Sequence, residues 1–156
     1  MSDRTPVWSS SGPPLLGEPA RALLRAHRLG VLATLRQDGT AHLSTIAYGF
    51  DEATEVLRVS LTEDRVKVRH LRRDLRASMH VGTADQSSWV AVTCTAELTV
   101  VTGRPGDPVG QELAELYEQI AGRPHPDPAE FADAMVEERR LVLRLRPRRV
   151  TSGGAG

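Results

Sequence analysis

Residues 58–76, RVSLTEDRVKVRHLRRDLR, hold seven Arg or Lys against three acids, a local excess whose natural chemistry is the binding of an anion. Within it, Arg65 and Lys67 follow the polar run Thr62-Glu63-Asp64 at what reads as the start of a helix. A helix start presents unpaired backbone N–H groups and the positive end of the peptide dipoles. Arg adds a flat two-pronged donor and Lys a mobile point charge, so the pair makes a candidate phosphate cradle. Two residues apart they diverge on a regular helix, and both reach one anion only if the first turn is irregular or the long side chains wrap round it. Arg65, Arg69, Arg72 and Arg73 recur at i, i+4, i+7 and i+8 and share a face, while Val68, Leu71 and Leu75 turn to the core. Like charges at that spacing repel, which an anionic partner relieves. The competing reading is a solvated basic face with Glu63 and Asp64 as its partners.

Other reactive residue types carry less. His42, His80 and His125 are far apart and show no ligand spacing with Cys94, so no metal site is expected. Cys94 lies in a β-rich apolar run and reads as a buried small hydrophobe. Ser44 and Ser60 have no adjacent base or oxyanion motif that would make either a nucleophile. Arg144, Arg146, Arg148 and Arg149 alternate with apolar residues and read as a wet strand face.

The elements that must position these groups are mostly strands. Residues 31–35 (VLATL) and 41–50 (AHLSTIAYGF) flank Arg36-Gln37-Asp38-Gly39, whose Asp-Gly suits a tight hairpin. Residues 56–61, 77–81, 89–101 and 141–150 read as further strands. Helices are expected over 18–28, stopped by Gly30, over 65–74, over 109–121 ending at Gly122, and in a stretch running through Met135. Six or so strands, mostly in sequential hairpins, imply a mainly β fold: an antiparallel barrel or curled sheet with packed helices.

Length and composition bound the rest. A chain of 156 residues suits one domain able to bury about 70% of its extended surface. Residues 1–15 and 151–156 read as flexible tails around a single domain over 16–150. A formal charge of zero and 4% aromatics argue against a nucleic-acid partner or a membrane-surface role. No stretch reaches the ~18 apolar residues of a membrane span. One cysteine excludes an internal disulfide, and a cytoplasmic location is expected. The zero is a sum of opposed regions: residues 107–135 hold seven acids and one Arg, whereas residues 58–76 and 136–150 each carry a surplus of four positive charges.

Ser60, Arg65-Val66-Lys67, Leu71, Asp74 and Arg76-Ala77-Ser78 together resemble the strand-loop-helix signature of the split-barrel flavoproteins related to pyridoxamine 5′-phosphate oxidase. The stretch EDRVKVRHLRRDLRASMHV is most similar to the actinobacterial branch that uses the deazaflavin coenzyme F420. GVLATL (30–35), Asp38-Gly39, His42-Leu43-Ser44, YGFD (48–51), Trp89, Leu116-Tyr117, Ile120-Ala121-Gly122 and MVEERRLVL (135–143) follow in the order of that branch. The resemblance implies a six- to seven-stranded split β-barrel of the FMN-binding type and a homodimer with its cofactor at or near the subunit interface. It implies an oxidoreductase in which reduced F420 gives a hydride to a small unsaturated or conjugated organic substrate. The same resemblance leaves open FMN as the alternative cofactor, in a reductase or oxidase, and a non-catalytic flavin- or deazaflavin-binding protein. Carried over residue by residue, Arg65 and Lys67 hold the phosphate, His42, Ser44 and Thr45 lie under the ring, and Ser60 and Thr62 approach the ribityl chain. Arg69 and His70 face the phosphate and the tail, Trp89 closes the ring pocket or fills a seam, and Tyr48 or Ser44 is a candidate proton donor. His70 stands where the branch commonly has Asn.

Overall fold

The computed structural model describes residues 14–154. Of the expected N-terminal tail, residues 1–13 lie outside the described part. Leu15 and Leu16 are already pinned, both backbone N–H groups donating at 3.0 Å to the Glu55 carboxylate. The elements run α1 (Glu18–Ala26), β1 (Leu29–Leu35), β2 (Ala41–Ala47), β3 (Gly49–Asp51), β4 (Val56–Thr62), α2 (Val66–Arg73), β5 (Arg76–Gly82), β6 (Ser88–Leu98), α3 (Pro108–Ala121), α4 (Pro128–Glu137) and β7 (Arg140–Gly154). No helix among the described residues is long and apolar enough to cross a membrane.

The seven strands form one antiparallel sheet in the order β2-β1-β5-β6-β7-β4-β3, curled into a half-barrel with four flanking helices. The expected β1–β2 hairpin closes with Gly39 at φ +87°, its N–H donating to Arg36 O at 2.9 Å. That left-handed angle is what glycine supplies at low cost. Pairing is less sequential than hairpins alone predict, because β1 also pairs with β5 and β4 pairs with β7. These non-local ladders curl the sheet around Leu32, Leu57, Met79, Val90, Leu143 and Leu145, all buried.

Three boundaries differ from expectation. Strand 41–50 breaks at Tyr48, whose ring is fully buried and whose hydroxyl donates to Leu24 O at 2.8 Å. Gly30 does not stop α1, which ends at an extended His27; it sits inside β1. A Cβ there would lie 2.8 Å from Met79 Cε and 3.1 Å from His80 O, so its smallness is spent on close strand packing. Residues 151–154 are no tail: β7 runs through Gly154, pairing Ser88 with Gly154 and Ala91 with Thr151. The Arg run of β7 is not a freely wet face either. Arg144 pairs with Glu97 and Glu112, Arg146 with Glu97 at 3.3 Å, and Arg148 Nε donates to Thr95 Oγ1 at 3.0 Å.

Candidate functional site

Helix α2 begins where its sequence provides little capping. Arg65 occupies the N-cap with extended backbone and no side-chain cap bond, and the first turn has no acid. Asp64, an obvious capping residue, instead accepts from Thr62 Oγ1 at 2.6 Å. The N–H groups of Val66 and Lys67 consequently find no acceptor among the described residues. Unpaired donors and an uncompensated dipole at a helix start attract an anion.

A cavity of about 380 Å³ opens in front of this end, lined by Thr45, Ser60, Thr62, Arg65, Lys67 and Arg140 together with apolar residues of β2, β4 and α3. The N-cap geometry removes the divergence expected of a regular helix: Arg65 lies before the first turn and Lys67 within it, and both reach one cavity. Lys67 Nζ donates to Ser44 Oγ at 2.9 Å across the gap between α2 and β2. Partial burial, then the neighbouring Arg65 charge, lower the Lys67 pKa from its ordinary 10.5. Both causes favour the arrival of negative charge. On the outer surface of α2, the side chains of Arg69 and Arg72 make no hydrogen bond or ion pair among the described residues, while Arg73 donates to Leu35 O at 2.8 Å.

Strand alternation separates the remaining candidates. In the β1–β2 register, Thr34 faces His42 and Leu32 faces Ser44 on the inner side, whereas Val31 faces Thr45 on the outer side. Ser44 and Thr45 therefore approach α2 and the cavity from opposite faces of an edge strand. His42 stacks edge-on with His70, centroids 5.4 Å apart. His70 turns inward rather than toward a phosphate: only 8% exposed, it shares a 2.9 Å hydrogen bond through Nδ1 with the buried Thr34 hydroxyl. Burial, His42 and three nearby arginines lower its pKa. Trp89 lies on the outer face of β6, beside His80 with centroids 5.9 Å apart and opposite Gly153, and does not line the cavity. Tyr48 is not placed to donate a proton to a ligand, its hydroxyl being buried and already donating to Leu24 O. Cys94 is buried, and its thiol pKa is pushed up to about 12 by that burial.

The structure thus brings together Thr45, Ser60, Thr62, Arg65 and Lys67, with Ser44 behind Lys67, and sets Trp89 and His70 elsewhere. It adds Arg140, which the sequence reading passed over. Arg140 opens β7 opposite Thr62, and its Nη1 donates to Ser60 Oγ at 3.2 Å. Its only sequence signal was a place at the head of an Arg-alternating strand, and nothing local shows that β7 returns beside β4.

A curled antiparallel sheet with a cationic cradle at a helix start defines a split-barrel protein with a site suited to an anion. The pyridoxamine 5′-phosphate oxidase family model matches residues 16–152, and the chain belongs to that family. Among solved structures it is similar to a conserved hypothetical protein from Mycobacterium tuberculosis, at TM-score 0.70 and 23% identity over 89% of this chain and 85% of that one. It is similar to an F420 reductase at TM-score 0.65 and 25% identity, covering 87% and 98%. A pyridoxamine 5′-phosphate oxidase-related, FMN-binding protein from Nostoc punctiforme follows at TM-score 0.65 and 19% identity, covering 91% and 84%.

Proposed function

We propose that this chain is a deazaflavin-dependent oxidoreductase that holds the phosphate of coenzyme F420 between Arg65, Lys67 and the start of α2. The observation that carries the reading is the cradle itself: Arg65 and Lys67 line one cavity with Ser60 and Thr62, at a helix start that has no side-chain cap. Arg140 lines the same cavity but is engaged by Glu138 and Ser60, so the phosphate is assigned to Arg65 and Lys67. When bound, the reduced cofactor supplies a hydride to a small unsaturated or conjugated organic substrate, and a proton completes the reduction. The protein's part is to fix the cofactor and exclude water.

The cradle suits any phosphate, FMN included. Arg69 and Arg72 favour F420, because their unpaired guanidinium groups extend the positive surface beyond the cradle and match a tail of glutamates that FMN lacks. The resemblance between this chain and an F420 reductase at 25% identity supports the same choice. We further propose a homodimer through the outer face of β1 and β2, where Leu29 is 62% and Leu43 64% exposed. Trp89 shares that outer face through the β1–β5–β6 register, and so belongs with the dimer surface in this reading.

Visible-absorption titration with F420 and with FMN tests the assignment. Saturable F420 binding is expected, weakened by about 1.5–3 kcal/mol in Lys67→Ala, the range for hydrogen bonds to charged groups. Tight FMN binding with no F420 binding overturns the cofactor choice. Binding without turnover of the reduced cofactor by any conjugated acceptor replaces the enzyme with a carrier.

A further inference from the structure

A second cavity, of about 460 Å³, lies between α3, α4 and the β4–β7 pair. Its size falls in the range of about 300–1,000 Å³ usual for small-molecule sites. Leu113, Leu116 and Met135 give it a buried apolar floor. Tyr117, His125 and Phe131 form one aromatic wall, their ring centroids 5.2–5.4 Å apart and mutually tilted. Such a wall favours a flat or ring-bearing ligand, which can join the rings edge to face.

One cation lines this cavity. Arg140 donates through Nε to Glu138 at 2.9 Å and through Nη1 to Ser60 at 3.2 Å, and its Nη2 has no acceptor among the described residues. An open edge of a guanidinium fork beside an apolar chamber is suited to a carboxylate. Glu138 already shares this guanidinium and Glu130 also lines the cavity, so a ligand carboxylate must take the remaining Nη2 edge beside Glu138, and a dianion such as phosphate fits worse than a single charge. Ser60, Ile120 and Arg140 line both cavities, so a ligand here would sit next to the cradle without using its cations Arg65 and Lys67.

From this geometry we infer that the α3–α4 cleft is a separate binding site for an aromatic monocarboxylate, its rings against Tyr117 and Phe131 and its carboxylate on Arg140. The site stands whichever phosphate the cradle takes.

Methionine methyl NMR tests it with 2-naphthoate as the probe. The chain has three methionines, Met1, Met79 and Met135; Met135 lines the cleft and Met79 is buried in the barrel core. Saturable ring-current shifts of the Met135 methyl are expected, with the Met79 signal unmoved. The neutral isostere 2-naphthalenemethanol is expected to bind about tenfold more weakly than the acid, a preference that Arg140→Gln abolishes. Ala134→Trp, which fills the cleft, is expected to remove both ligands while the Met79 signal reports an intact core. A Met135 signal that does not move up to the solubility of the acid overturns the site, as does an unchanged titration in a folded Ala134→Trp variant. Equal affinity of the wild-type protein for acid and alcohol overturns the carboxylate assignment. None of these results depends on the cofactor reading, which the F420 and FMN titrations decide separately.

Discussion

At the scale of single residues, the half-buried Lys67 of the cradle and the buried His70 beside it respond to pH in opposite ways. Lys67 is held below its ordinary pKa of 10.5 by burial and by Arg65, and a bound anion favours its charged form. Affinity for a phosphate-bearing cofactor is therefore expected to be level around neutral pH and to fall as pH rises through the lowered Lys67 pKa. Titrations at a series of pH values check this, and Lys67→Met should flatten the profile. His70 works in the acid range. Its folded pKa lies below 6.5, so the unfolded chain binds more protons in the window beneath that value. The stability associated with neutral His70 is fully present above about pH 6.5 and is lost as pH falls toward the folded pKa. Urea unfolding from pH 7.5 to 5 should show this slope in the wild type and a shallower one in His70→Gln. Thr34→Val, which keeps the shape but strands the His70 Nδ1 partner, should cost about 1–3 kcal/mol at neutral pH. A loss under about 0.5 kcal/mol, the usual range of an inconsequential surface substitution, would show the bond to be dispensable. The inward turn of His70 could not be read from α2 alone. Helical spacing places it near Arg69, but only the return of β1 beside the helix supplies Thr34.

At the scale of elements, the legible features were those whose physics is local. The Asp-Gly hairpin, the apolar i, i+3, i+4, i+7 spacing of α3 and its stop at Gly122, left-handed at φ +78°, all follow from neighbours in sequence. What escaped depends on distant partners. Gly30 resembles a helix terminator by position, yet its role is set by Met79, Val81 and His80 on the adjacent strand β5. Tyr48 resembles a solvent-facing proton donor, yet its hydroxyl anchors the last turn of α1 through Leu24 O. Arg140 enters the site because β7 pairs with β4 some eighty residues away. Each case carries a consequence for stability. Gly30→Ala pushes a methyl to within 3.1 Å of a backbone carbonyl and two side chains, and should cost about 1–3 kcal/mol by overpacking. Tyr48→Phe removes one buried hydrogen bond at unchanged shape and should cost about 1 kcal/mol. Denaturant midpoints compare the two. A Gly30→Ala protein as stable as the wild type would mean that β1 and β5 can separate without penalty, against the close ladder observed.

At the scale of the whole molecule, the neutral net charge hides two different fates for its cationic regions. The surplus over residues 136–150 is largely consumed inside the fold: Arg144 and Arg146 meet Glu97, Arg144 also meets Glu112 on α3, Arg140 meets Glu138, and Arg139 meets Glu63. The surplus on α2 is not, since among the described residues the side chains of Arg65, Arg69 and Arg72 make no hydrogen bond or close ion pair, feeling Glu63 and Asp64 only at longer range, and Lys67 meets a serine. The chain thus spends most of its β7 cations on acids within the fold and leaves Arg65 and Lys67 facing one cavity, where a small anion rather than a polyanion fits. Apolar surface is distributed just as unevenly. Leu29 and Leu43 stand out on the outer face of β1 and β2, with Ala33 opposite Leu43 and Ala47 opposite Leu29. β2 is moreover an edge of the sheet, a position that proteins usually cover or charge. A second copy covering this face would bury the two leucines and protect the edge beside Ser44 and Thr45, coupling assembly to the cradle. Leu43→Asp should then convert a dimer to a monomer in sedimentation equilibrium and weaken cofactor binding, although Leu43 itself lines no part of the cradle. A wild-type protein that sediments as a monomer at tens of micromolar rules out this face as a stable dimer contact. A Leu43→Asp monomer that binds F420 as tightly as the wild type would keep the dimer but place the whole cofactor site within one subunit.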